Sequence, residues 1–220
     1  MMAEQKTTKV KKKTWYTIVA PKYFNELVLG ETPVYDPQEM IGKVVTVNLM
    51  VLTNDMKKQN INVEFKVDKL EGNRGNTSIM GYALIPSSVK RMVRRNRDKI
   101  DTSFVCKTSD GVLIRIKPLL ITKANAKGSV LSKLLNHCTE YGTRLVAKLS
   151  AEKFVEDLIN HNFQDALYGE LKKIYPLKTC EIRMMKIVPA GKKVRVEKVV
   201  EESPPEQPPE EVTEEVGVSA

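Results

Sequence analysis

Two hydrophobic periods divide this 220-residue chain. From Gly42 to Lys117 apolar side chains recur mainly at every second position, and from Val130 to Ile174 at every third and fourth. The first spacing belongs to half-buried strands and the second to amphipathic helices, so the chain is neither all-helical nor all-β. In the first region Val45, Val47, Leu49 and Val51 form one apolar face against Thr46, Asn48 and Met50, which predicts a strand from Gly42 to Val51. Asn54 to Gln59 turns the chain. Ile61, Val63, Phe65 and Val67 then alternate with Asn62, Glu64, Lys66 and Asp68, giving a second strand with a clean polar face. Glu71 to Asn76 is a Gly/Asn turn, and Thr77 to Leu84 returns. Upstream, Trp15 to Ala20 reads as a short strand, and Pro33 and Pro37 bracket a loop.

Pro86-Ser87-Ser88 marks a helix start, with a proline to stop the strand and a hydroxyl to cap. At 100° per residue, Val89, Met92, Val93 and Ile100 share an arc of about 100°, which predicts a helix over 86–99. Asp101 to Thr108 follows as a strand, Asp110-Gly111 as a hairpin turn, and Val112, Ile114 and Ile116 as the apolar face of the outgoing strand. Val130 to Leu149 spans a helix of roughly five turns. Ser150 caps a second helix carrying Phe154, Val155, Leu158 and Ile159. A third, carrying Phe163, Leu167, Leu171 and Ile174, stops before Pro176. Thr179 to Val188 reads as a late strand returning to the sheet. The expected organisation is a basic tail over 1–14, a β-rich body over 15–125, a helical region with a returning strand over 126–190, and a linker with an acidic tail over 191–220.

Charge is sharply segregated. The whole chain carries a formal +9, yet residues 201–220 hold seven glutamates and no base, interleaved with Pro204, Pro205, Pro208 and Pro209. Neither that segment nor the Lys-rich 1–14 has the apolar content to build a core, so both are expected to be disordered alone. The remaining body, 1–200, stands at +16. Such a surface repels itself unless it works beside a polyanion. The densest stretch, Ile85–Gly128, holds eleven bases and three acids. Arginine suits phosphate because its planar fork donates two hydrogen bonds at once. The expected RNA-binding residues are Lys9, Lys11, Lys12, Lys13 and Trp15 on the arm, Lys90, Arg91, Arg94, Arg95 and Arg97 on the basic helix, and Arg115 and Lys117 on the strand after it. With aromatics at 6% and no RNP-type motif, structured RNA read through its backbone is favoured over base readout.

Other chemistry lacks support. No run reaches the ~18 apolar residues of a membrane span. His137 and His161 lie in no ligand or nucleophile motif, and no HExxH, GxSxG or GxxxxGK occurs. His137 and Cys138 are adjacent on a helix and point about 100° apart, so they cannot act as a nucleophile and base. Cys106, Cys138 and Cys180 are widely spaced and odd in number, as expected of buried reduced thiols. No enzyme activity, cofactor, metal or small-molecule substrate is expected.

Residues 91–122, RMVRRNRDKIDTSFVCKTSDGVLIRIKPLLIT, resemble the central block of the small-subunit ribosomal protein family eS-one, also written S-three-A-e. There a basic helix is followed by a strand, a Thr-x-Asp-Gly hairpin and an Arg-bearing strand. The similarity continues at Tyr175-Pro176-Leu177-Lys178, at Glu181-Ile182-Arg183 and at Lys13, Trp15 and Tyr16, and covers nearly all of 9–190. The family's signature falls at Gly42, Val44, Leu49 and Leu52, with departures at Lys43, Thr46, Asn48 and Val51. The compact length looks archaeal. The resemblance implies an α+β fold with a mostly antiparallel, barrel-like β body and attached helices. It implies a cytoplasmic, non-enzymatic constituent of the small ribosomal subunit, on the platform near the 3′ end of the rRNA. Its partners there would be rRNA, neighbouring platform proteins and, at the exit, mRNA. A free RNA-binding or assembly factor, or a protein scaffold using the acidic tail, are the competing readings.

The opposite charges of the two termini predict opposite roles. Deleting residues 1–13 is expected to weaken incorporation into subunits. Deleting 201–220 is expected to leave incorporation unchanged and to raise off-target RNA binding at low salt. Quantitative sedimentation of tagged variants with small subunits measures the first effect, and filter binding to unrelated RNA the second; equal loss of incorporation from both deletions contradicts the asymmetry.

Overall fold

The computed structural model describes residues 12–188, so most of the basic arm and the whole acidic segment lie outside the described residues. Nine strands and five α-helices follow in the order β1 (Thr14–Val19), β2 (Val28–Val34), β3 (Val44–Asn48), α1 (Leu49–Thr53), β4 (Ile61–Glu71), β5 (Arg74–Leu84), α2 (Pro86–Met92), β6 (Lys99–Asp101), β7 (Phe104–Lys107), β8 (Leu113–Thr122), α3 (Gly128–Lys148), α4 (Ala151–Ile159), α5 (Asn162–Leu171) and β9 (Leu177–Val188). All strands join one sheet. Its main path is β3-β4-β5-β9-β8, with β6 and β7 set end to end along the far edge of β8. The pair β1–β2 branches from the start of β5, where β1 runs parallel to Arg74–Asn76; every other pairing is antiparallel. The sheet does not close, so the α+β class holds but the expected barrel-like closure does not.

The long hairpin β4–β5 follows the sequence pattern closely. Ile61, Val63, Phe65 and Val67 are buried, and Gly72 at φ 62° supplies the left-handed residue that the tight turn needs. Elsewhere tertiary demands override the pattern. β3 ends at Asn48, whose side chain accepts the Met50 N–H at 2.9 Å and donates to the Gln59 carbonyl at 2.7 Å. That cap starts α1, in which Leu49 and Leu52, three residues apart, turn into the core while Val51 is left exposed. The alternating run therefore stops three residues before the expected end of the strand. Pro33 lies not in a loop but in β2, opposite Trp15. β2 is an edge strand, where a residue without an N–H is tolerated.

The basic helix is shorter than its period suggests. α2 ends at Met92, Val93 is extended, and Asn96 at φ 61° turns the chain into β6, where Ile100 pairs with Leu120. A helix continued to residue 99 would stack Lys90 on Arg94 and Arg91 on Arg95 at four-residue spacing, and like charges so placed are unfavourable. Its first turn uses Pro86 at the first helical position rather than a serine cap, and Ser88 is buried. The expected strand from Asp101 to Thr108 is likewise two pieces, β6 and β7. Their break at residues 102–103 flanks Pro118 of β8, where the β8–β9 register also shifts.

Helices α3–α5 cover one face of the sheet. Leu134, Cys138 and Val146 of α3, Phe154 and Leu158 of α4, and Phe163, Leu167 and Leu171 of α5 share a core with Phe65, Tyr82, Phe104, Ile114, Ile116 and Ile182. A smaller cluster of Tyr16, Ile18, Val34, Met40 and Val67 holds the β1–β2 branch. α3 approaches β7 so closely that a Cβ on Gly142 would come within 2.8 Å of Phe104 Cζ.

Where β9 meets α5 the core is polar. Oxygens of Tyr82, Gln164 and Glu181 are buried there without a hydrogen-bond partner among the described residues, and His161 Nδ1 lies 3.9 Å from Glu181 Oε2. Burial, aided by Asp165, raises the Glu181 carboxyl to about 7, and burial lowers His161. Glu181 is thus held largely protonated at mildly acid pH, and beside a neutral imidazole the pair is not a charged bridge.

Two stability measurements test this packing. Gly142→Val should cost about 1–3 kcal/mol in chemical denaturation, with Phe104→Leu restoring part of it in the double variant. Because the folded-state value of Glu181 is raised, its stabilisation is complete below the ordinary glutamate range and is lost as pH rises through about 7. The parent should lose on the order of 1–3 kcal/mol relative to Glu181→Gln between pH 4.5 and 8. A pH-independent difference between the two would contradict the assignment.

Candidate nucleic-acid interface

The end of β8, the start of β9 and the loop after α2 converge at one corner. Asp98 and Thr122 tie the loop down: the Asp98 N–H donates to Thr122 Oγ1 at 2.8 Å, the Thr122 N–H donates to the Asp98 carbonyl at 3.0 Å, and Asp98 Oδ2 accepts the Ala126 N–H at 2.7 Å. The Lys123 N–H donates to the Pro176 carbonyl, and the Tyr175 hydroxyl donates to the Asn125 carbonyl at 3.1 Å. These bonds fix the backbone from which Arg94, Arg95, Arg97, Lys123 and Lys178 project.

Arg97 is half-buried, and its Nη1 is shut off from solvent without a hydrogen-bond partner among the described residues. Lys178 is exposed on β9; loss of hydration, then the charges of Arg97 and Arg94, hold its ammonium below the ordinary lysine range. Three cations thus sit near one another, and no carboxylate of the described residues pairs with any of them. The local acids are engaged elsewhere: Asp98 with the Ala126 N–H, and Asp101 with Lys99 and with Arg183 at 3.3 Å. Like charges held together on a pinned backbone suit an anion with several acceptor oxygens.

A second cationic row crosses the sheet. Arg115 of β8 stands opposite Lys186 of β9, and Lys117 opposite Met184. Lys186 reaches past Gly81 to Glu64 at 3.0 Å; a side chain at Gly81 would meet that carboxylate. Arg115 and Lys117 have no such partner among the described residues. Met184 and Arg183 also border a groove of about 330 Å³ against Val89 and Lys90 of α2, which joins this row to the helix. Arg91 is tied by a 3.0 Å donation to Asn60 Oδ1.

The sequence-derived residues therefore fall into three places. Lys90, Arg91, Arg94, Arg95 and Arg97 lie on α2 and the loop that follows it, not on one helical face. Arg115 and Lys117 share the neighbouring sheet face. Lys12, Lys13 and Trp15 lie on or beside β1, and Lys9 and Lys11 are outside the described residues. Lys178, Arg183 and Lys186 were missed. Each sits on β9, whose pairing between β5 and β8 no local pattern discloses; three bases within 178–186 of the late strand were the available signal.

Two of the buried thiols are poor nucleophiles. Burial pushes the Cys138 thiol up to about 12 and raises Cys180 as well, so neither is a thiolate near neutrality. No helix among the described residues is long and apolar enough to cross a membrane.

Comparison with known proteins identifies the family. The model of the Ribosomal S3Ae family matches residues 2–190. "Small ribosomal subunit protein eS1" of Nanoarchaeum equitans is 38% identical over 184 residues, covering 84% of this chain and 93% of the relative. The protein of the same name from Methanobrevibacter smithii is 33% identical over 81% of this chain and 92% of the relative, and that from Methanothermobacter thermautotrophicus 31% over 78% and 88%. With a match along most of its length and archaeal relatives of nearly its own extent, the chain belongs to the Ribosomal S3Ae family.

Proposed function

We propose that the chain is a structural constituent of the small ribosomal subunit that binds rRNA through its phosphate backbone. The observation that carries this reading is the corner where Arg94, Arg97 and Lys178 lie near one another with no carboxylate of the described residues paired to them. A phosphodiester supplies two anionic oxygens that several such donors satisfy at once. The family is one of structural ribosomal proteins, not of enzymes. Family membership supports a place on the platform near the mRNA exit, with rRNA and neighbouring ribosomal proteins as partners and mRNA within reach. The sheet row of Arg115 and Lys117, which the groove beside Met184 links to Lys90, adds further cations for a folded RNA backbone.

The corner contributes a measurable share of the salt dependence. Replacing Arg94, Arg97 and Lys178 by Gln removes up to three phosphate contacts. The slope of log affinity for a structured rRNA fragment against log salt should fall by about 2, with the fold intact by circular dichroism. An unchanged slope shows that these side chains face solvent in the complex.

A further inference from the structure

The β1–β2 hairpin carries a surface that the cationic corner does not use. Tyr16, Ile18 and Val34 turn inward to the smaller core cluster. The alternate residues face out, with Trp15 opposite Pro33 and Thr17 opposite Glu31. Trp15 is 63% exposed and Tyr35 48%. The Lys13 ammonium stands 5.1 Å from the centre of the Tyr35 ring. An indole and a phenol ring left in water on one rigid hairpin, with a cation over one of them, is an unusual use of a chain's scarce aromatics.

We propose that this face is a stacking platform for unpaired RNA, in which Trp15 and Tyr35 take bases and Lys12 and Lys13 take the flanking phosphates. Charge complementarity selects this occupant. Lys12 and Lys13 lie at the aromatic end, and Lys6, Lys9 and Lys11 precede them in sequence. Glu31, opposite Thr17, lies at the other end and repels phosphate, so the strand enters and leaves on the Lys13 side. Every base has a π face, so the platform tolerates sequence, and stacking a base on an aromatic ring contributes enough to be measured singly. The inference rests on the reading of the chain as RNA-binding but uses a different surface and a different feature of RNA, the unpaired base.

Trp15 is the only tryptophan in the chain, so fluorescence excited selectively at tryptophan reports on this face alone. The full-length protein is titrated with decamers of oligouridylate and oligoadenylate, and with an RNA hairpin of matched phosphate number whose two strands are joined by a non-nucleotide linker, so that every base is paired. Both single strands should quench Trp15 strongly, whereas the hairpin, its binding followed by anisotropy, should not. Trp15→Leu and Tyr35→Leu should each weaken single-strand binding about 5- to 100-fold and leave hairpin affinity within about twofold. Glu31→Gln should tighten single-strand binding. Arg94, Arg97 and Lys178 replaced by Gln should weaken the hairpin yet preserve the quench, which separates failure of this inference from failure of the phosphate reading. Equal quenching by the hairpin, no quenching by either decamer, or unchanged single-strand affinity in both leucine variants overturns the proposal. So does quenching that appears only when other small-subunit proteins are added, since the face would then be a protein contact.

Discussion

The pairing of β9 between β5 and β8 is the interaction on which the rest depends. β9 is the last described strand, yet it occupies the middle of the sheet: ten of its residues pair with β8 and three with β5. Without it the strands separate into a β1–β5 group and a β6–β8 group with no hydrogen bonds between them. The helices depend on the same strand, because Cys180, Ile182 and Met185 extend the floor on which α3–α5 bury their apolar stripes. So does the cationic corner, since Lys178 comes under the charges of Arg97 and Arg94 because β9 lies beside β8. Buried apolar surface and the basic site are thus products of one long-range contact.

The sequence shows which parts of this arrangement are local. The β4–β5 hairpin is legible because a two-residue alternation ends in Gly72-Asn73 and resumes, and both the burial and the turn follow from neighbouring residues. The helices α3–α5 are legible for the same reason, with Ser150 capping α4 by accepting the Lys153 N–H. The pattern misleads where one residue changes the backbone. Asn48 converts the second half of an apolar alternation into a helix, so Leu49 and Leu52 face the core by a helical spacing that imitates a strand. Asn96 and the repulsion between stacked bases cut the basic helix at Met92, and Ile100 joins the apolar stripe only by coincidence of angle. β2 escaped notice because Pro33 reads as a loop unless its edge position is known.

The functional surface divides along the same line. That the chain is basic, and that its bases crowd around Arg94, Arg95 and Arg97, is visible as density of charge along 85–128. Which cations remain available is not visible, because it depends on where the acids are engaged. Lys99 and Arg183 share Asp101, and Lys186 meets Glu64 across the bare backbone of Gly81. Arg97, Arg115 and Lys178 have no such neighbour among the described residues. Tertiary structure acts here as a filter, neutralising some bases and leaving others uncompensated.

The central position of a late strand also sets the order in which the chain becomes safe. During synthesis β4, β5 and β8 exist before β9, and β8 must wait with ten residues unpaired along one side, as must three at the end of β5. Exposed strand edges of that length invite pairing with other copies of themselves. The bases on this part of the sheet act during the same interval. Arg115 and Lys117 lie on β8 itself, and bringing two such strands together from separate molecules sets like charges side by side. Side chains proposed to face phosphate in the mature protein would thereby also guard the unfinished one, and neutralising them would be felt first as loss of soluble nascent chain.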